Sequence, residues 1–419
     1  MIAALLAAAS CAGLAQAQTS PTPIAAGDVL TLDDALRQAG ATSPANEVAA
    51  LGVEVAEAGR RVAGLRPNPT LNADVENVIG TGPYRGIDEA ETTIGFALPL
   101  ELGGKRSARI GVANAQTARA RIDVVVAAAD LRLKVTQSYV EAVTAERRLA
   151  IAQDQVRITT ENLRIARDRV EAGANSPIDE QRAALLASNA GAELERARQT
   201  VEATRIALAQ YTGIASVALD QAWFDDVALT PAGPRMPVSA EGTLALAAAA
   251  ADVSTADAEL RLARSQRVPD LTVSAGTRRL QASGDMAMVF GLSVPLPVFN
   301  SGRAAVDRAS ALRGQSDARR RLARFEAEQA IAATRADRDR AAATVRASGP
   351  AVKAAQEAAR IARIGYGEGK FDQLVLLEAE QALLDARTAA IDARNQYHDA
   401  EARLARLTTP APTPAATGN

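Results

Sequence analysis

Apolar residues recur along this chain with two different periods, and the switches between them outline its elements. From Thr31 to about Leu65 the spacing is that of one helix face. It opens on TLDDAL, with Thr31 as N-cap and acids in the first turn, which predicts a helix. The period then falls to two. In PTLNADVEN, Leu71, Ala73 and Val75 alternate with Thr70, Asn72, Asp74 and Glu76. In ETTIGFALPL, Ile94, Phe96, Leu98 and Leu100 alternate with Thr93, Gly95 and Ala97. Both stretches predict strands with one apolar face, joined by the Gly- and Pro-rich loop GTGPYRGIDE at 80–89. Residues 104–172 hold no proline and few glycines, which predicts a helix roughly 100 Å long. AGANSPID (172–179) breaks it, and a second helix to about Tyr211 completes an antiparallel hairpin.

The same series then recurs. After a connector at 212–238 that holds the only tryptophan, a helix over about 240–266 leads to PDLTVSAGT, with Leu271, Val273 and Ala275 on one face. MAMVFGLSVPL places Met288, Phe290, Leu292, Val294 and Leu296 on one face, and Met286 and Met288 read as lipid-facing rather than metal-binding. A long helix from Arg303 to about Ile364, a break at YGEGKFD (366–372) and a last helix to about Leu407 follow. The expected organisation is a leader over 1–17, a first repeat over 18–211, the connector, a second repeat over 239–407 and a disordered tail over 408–419.

Composition sharpens this. The 419 residues are 48% hydrophobic but only 3% aromatic, a balance set by alanine and suited to long, closely packed helices. A net charge of -2 argues against nucleic acid, and RRRLAR (319–324) reads as a solvated helix face. The opening MIAALLAAASCAGLAQAQTS reads as a secretory leader cleaved after Ala15, Gln16 and Ala17, with lipidation at Cys11 as the alternative. After it no run reaches the roughly 18 apolar residues of a spanning helix, so a membrane part has to be a β-barrel. Four strands of about nine to eleven residues match an outer membrane in length, yet cannot close a barrel alone. That predicts a ring of copies. The fold class is therefore mainly α with a small β part: long antiparallel helical hairpins, and four strands per chain contributing to a barrel shared between copies.

The phrases ALPLELGGKR (97–106) and GLSVPLPVFNSGR (291–303) mark where strand becomes helix. Pro99 and Pro295 are expected to end the strand ladders, and Gly104 and Gly302 to permit the turn. Lys105, Arg106 and Arg303 fall at helix N-termini, where the helix dipole disfavours cations, so anionic lipid headgroups are their expected partners.

With these phrases, LRPNPTLNADVENVIGTGPYRG (65–86) and GYGEGKFDQLVLLEAEQALLDAR (365–387), the chain resembles the TolC family of outer membrane efflux proteins, and within it the cobalt-zinc-cadmium branch. The resemblance covers essentially the whole mature chain. It implies a homotrimer in which the strands form a twelve-stranded outer membrane β-barrel and the hairpins a periplasmic α-barrel, a passive exit duct working with a periplasmic adaptor (membrane fusion protein) and an inner membrane resistance-nodulation-division transporter. It implies that the tips Gly173, Ala174, Asn175, Ser176, Pro177 and Gly369, Lys370, Phe371 meet the adaptor. Tyr366 precedes Gly369 as the family pattern expects, whereas the first tip has Val170. It also implies that Asp179, Glu378 and Asp372 line the periplasmic entrance, where carboxylates repeated by symmetry attract cations. The alternatives are the same duct for drugs or organic solutes, and a periplasmic coiled-coil adaptor.

No enzyme is expected. The single histidine, His398, reads as a surface residue of an acidic helix, and neither a metal-ligand cluster, a phosphate loop nor a cofactor site stands out.

Overall fold

The computed structural model describes residues 29–214, 218–227 and 238–412; the expected leader, Cys11 and the last residues of the tail lie outside them. In chain order the elements are β1 (Val29–Leu30), α1 (Leu32–Thr42), α2 (Pro44–Ala63), β2 (Thr70–Glu76), β3 (Glu91–Leu100), α3 (Lys105–Glu171), α4 (Pro177–Thr212), β4 (Ala218–Leu219), α5 (Ala222–Asp225), α6 (Leu244–Ser265), β5 (Leu271–Leu280), β6 (Met286–Ser293), α7 (Arg303–Gly367) and α8 (Gln373–Leu407). Thr31 caps α1 through a capping box with Asp34. The single helix expected over 31–65 is in fact two. Ser43 ends α1 in an extended conformation because Pro44 follows it, and caps α2.

The molecule is four elements wide at every level. The sheet order is β2-β3-β5-β6, antiparallel throughout. Beneath it α2 packs on α3, α3 on α6 and α6 on α7; further down the order is α4, α3, α8, α7. α3, with 67 residues, and α7, with 65, run through both helical levels. One edge is thus β6 and α7 along the whole length. The other is β2, then α2, then α4.

Register puts Leu71, Phe96, Ala275 and Phe290 in one row across the sheet, with Met286, Met288 and Leu292 on the same face. That face is exposed and apolar; Phe290 is 75% exposed. The other face carries Asp74, Glu76, Glu91 and Arg278, whose guanidinium reaches Glu91 at 2.6 Å and Glu76 at 2.9 Å and so ties three strands together. Pro99 does not end its ladder: β3 continues to Leu100, and Pro99 opposes Thr272. The Ala97 carbonyl accepts from Thr70 Oγ1 on the β2 side, and residue 99 faces the same way, past the end of β2, where no hydrogen bond is lost. Pro295 falls two residues beyond β6, as expected. No described helix is long and apolar enough to cross a membrane.

Where the helical levels meet, β1 pairs with β4 and the connector folds back on the bundle. Leu30, Ala35, Val135, Tyr139, Val143, Leu208 and Phe224 form the largest core cluster. His398 lies here, buried and not on the surface as its acidic helix suggested. It donates from Nε2 to the Phe224 carbonyl at 3.0 Å, and its ring is 4.4 Å from Trp223 and 5.3 Å from Phe224. The connector covers it, which neighbours along α8 could not reveal. The tail is ordered at its start, too: Thr409 accepts from Leu244 N, and Pro410 bridges to Thr243.

Burial lowers the His398 pKa, outweighing the Phe224 carbonyl and the Glu401 charge that favour protonation. The neutral ring therefore contributes stability that is complete above the unfolded pKa of about 6.5 and is lost as pH falls through it towards the folded value. The heat-induced loss of helical circular dichroism in detergent should shift to lower temperature between pH 7.5 and 5.5. His398→Gln, which keeps a donor to Phe224 without titrating, should flatten that dependence; equal slopes would show that the ring does not carry it.

Candidate functional site

The residues singled out by sequence gather at the two ends of the helices. At the far end α3 stops at Ala172, and Gly173 turns the chain with φ 73°, a left-handed conformation that favours glycine. Ala174 N and Asn175 N donate to the Arg169 carbonyl, and Pro177 opens α4. The second tip repeats this construction. Gly369 turns with φ 74°, and Lys370 N and Phe371 N donate to the Gly365 carbonyl. The Phe371 ring lies over Gly365 of α7, where a Cβ would come within 2.1 Å of it.

The structure sets the tips side by side and links them with groups that sequence reading missed. Arg169 Nη1 donates to the Tyr366 carbonyl at 2.5 Å, its Nε donates to Asn175 Oδ1 at 2.8 Å, and its guanidinium lies 4.9 Å from the centre of the Tyr366 ring. Asn175 Nδ2 donates to Asp179 Oδ2 at 3.0 Å, and Gln373 Nε2 to the Asp179 carbonyl at 2.9 Å. A cation thus sits at the carbonyl end of α7, where the helix dipole favours it. Ala362, Tyr366 and Leu376 pack beneath these bonds. Nothing local in the sequence marks Arg169 as different from its neighbours, since its partner is 197 residues away.

Of the three expected entrance carboxylates, Asp179 is half-buried and bonded within the tip, Glu378 is exposed, and Asp372 is exposed at the N-cap of α8. Glu378 lines a cleft of about 1010 Å³ between α3, α4 and α8, shared with Glu193, Asp385 and Asp392. The buried carboxylate is instead Glu380, 4% exposed and paired with Arg363. This is an ion pair between the two arms of one hairpin, as Arg167 and Glu180 also form at the first tip.

At the opposite end Gly104 and Gly302 occupy the N-caps of α3 and α7 with φ 72° and 73°. Two of the three cations expected to face lipid have partners within the chain. Lys105 Nζ is 2.7 Å from Asp270, which also accepts from Leu102 N, and Arg106 Nε donates to the Gly64 carbonyl at 2.6 Å. Arg106 is unfavourable at the start of its own helix, yet it serves the carbonyl end of α2 beside it. Arg303 is exposed, and the proposal of a headgroup contact rests on it.

A sheet with an apolar outer face and open edges, continued by helices of such length, defines a subunit of an outer membrane channel prolonged by a helical tunnel. The chain belongs to the outer membrane efflux protein family, which matches residues 35–214 and 239–409. It is 30% identical over 395 residues to the cobalt-zinc-cadmium resistance protein CzcC of Cupriavidus metallidurans, covering 92% of this chain and 91% of that one. It is 31% identical over 336 residues to the nickel-cobalt-cadmium resistance protein NccC of Alcaligenes xylosoxydans xylosoxydans, covering 78% and 74%. Among solved structures it is similar in fold to CusC, with TM-score 0.77 at 18% identity over 93% of this chain and 97% of that one. Membership places the protein in the outer membrane, as a transport duct rather than an enzyme.

Proposed function

We propose that the protein is the homotrimeric exit duct of a tripartite efflux system exporting heavy-metal cations. The observation that carries the cargo is near full-length similarity to a cobalt-zinc-cadmium resistance protein. The trimer is supported by four strands per chain with two open edges, which three copies close into twelve. A periplasmic adaptor would contact Gly173–Pro177 and Gly369–Phe371, and an inner membrane resistance-nodulation-division transporter would supply energy and selection. Residues 1–17 would be removed on export. Deletion should lower the concentration of cobalt, zinc, cadmium or nickel that stops growth, and plasmid expression should restore it. Unchanged metal tolerance with increased sensitivity to drugs would assign the duct to organic solutes instead.

In the trimer, Asp179 and Glu378 from each copy would approach the axis near the entrance. Carboxylates in such a constriction act more strongly on ions than in bulk water. Asp179→Asn with Glu378→Gln should therefore lower the cation preference read from reversal potentials in planar bilayers. An unchanged preference would leave both as ordinary helix charges.

A further inference from the structure

We propose that Arg279, on the outer face of β5, binds the phosphate of a phosphorylated glycolipid in the external leaflet of the outer membrane. This rests on the barrel of the reading above and is independent of the cargo. Strand register puts Arg279 on the face that carries Ile94, Phe96, Met288 and Phe290, and it is the only charged residue of the four strands there. A guanidinium turned towards hydrocarbon is costly, so both its depth and its partner need a physical reason. Depth supplies the first. Asp270, held by Lys105 at the start of α3, marks the periplasmic boundary of the sheet. At ~3.4 Å per residue and a strand tilt of about 40°, the row of Arg279 lies about 21 Å above the row of Leu271. The apolar band of such barrels is about 25 Å tall, so Arg279 stands at its external limit, where most of the penalty at mid-bilayer has gone. Its stem can lie on the apolar face while its head rises to the level of lipid phosphates.

No protein group takes that head. Arg278, one residue earlier, turns to the opposite face and binds Glu91, Glu76 and the Thr93 hydroxyl, the acceptors that the strands offer at this level. Arg279 is exposed and forms no ion pair or hydrogen bond among the described residues. Another copy does not supply the partner, because β5 lies inside the sheet between β3 and β6. The row through it reads Val75, Thr92, Arg279, Met286, so the one further polar group beside the guanidinium is the Thr92 hydroxyl. A planar fork of donors with a hydroxyl next to it matches the oxygens of a phosphate. At the end of the barrel away from the helices, the phosphates within reach are those of the external leaflet's glycolipid headgroups.

The temperature at which the trimer band gives way to monomer on gels tests the site. Full-length protein in neutral detergent is incubated with diphosphorylated lipid A, with lipid A stripped of its phosphates, with phosphatidylglycerol or with inorganic phosphate. Diphosphorylated lipid A should raise the parent's transition by about 2–4 °C, and the other three by less than half of that. In Arg279→Gln the diphosphorylated lipid should do no more than the dephosphorylated one, and Thr92→Val should lose part of the shift. Arg320→Gln, the same change of charge on an exposed face of α7, should keep it whole. An equal shift in Arg279→Gln and parent would overturn the site and leave the trimeric duct standing. A parent shift matched by dephosphorylated lipid A, phosphatidylglycerol or inorganic phosphate would overturn the glycolipid phosphate as its ligand. A parent that gives no trimer at any temperature would overturn the barrel, and the site with it.

Discussion

Arg169→Ala should give channels of higher single-channel conductance than the parent in planar bilayers. The variant loses two hydrogen bonds from a guanidinium, one to the Tyr366 carbonyl in the other hairpin and one to Asn175, together with the contact over the Tyr366 ring. Bonds of this kind contribute about 1.5–3 kcal/mol each. A net loss of about 2 kcal/mol from the state with the tips joined would raise the population with the tips apart about 30-fold. Arg169→Lys keeps the charge but not the planar fork, and should fall between parent and alanine variant. The Gln373 bond to the Asp179 carbonyl remains in both, so the tips keep one link and the fold of each hairpin is not at issue. Parental conductance in the alanine variant would show that the link between the tips does not limit the opening.

Gly276→Val should abolish assembly in the outer membrane. Gly276 faces Gly95 across β5 and β3, and a Cβ at position 276 would lie 2.6 Å from the Ile94 carbonyl oxygen and 2.8 Å from the Gly95 Cα. Both obstacles are backbone, so relief requires the strands to separate, at about 3 kcal/mol or more for overpacking of this kind. Glycine at both positions lets the two strand backbones approach closely here. Gly284→Ala, at a turn with open space around it, meets no such obstacle and should assemble at reduced but measurable yield, its positive φ being the only penalty. Heat-modifiable mobility on gels, read from membrane fractions, measures the outcome. Trimers of Gly276→Val at parental abundance would mean that the strands can separate there without cost.

The periodicities legible in the chain are those set by local geometry. Alternation in PTLNADVEN, ETTIGFALPL, PDLTVSAGT and MAMVFGLSVPL specified four strands and their apolar face, and the proline-free stretch before Gly173 specified a helix far longer than a globular core, as did its counterpart before Gly369 despite Pro350. Both follow from steric preferences a few residues wide, repeated in two halves. The break at Ser43–Pro44 was equally local, but the continuous apolar period across it concealed it. Tertiary structure decided the rest, because each further property depends on a group distant in sequence. His398 is buried by a connector some 174 residues earlier, and Lys105 and Arg106 find Asp270 and the end of α2 in place of lipid. Among the acids near the second tip, Glu380 is the buried one, since the pairing of α8 with α7 sets which way each carboxylate turns. A helical period assigns residues to faces; only the neighbouring helices decide which face meets protein and which meets water.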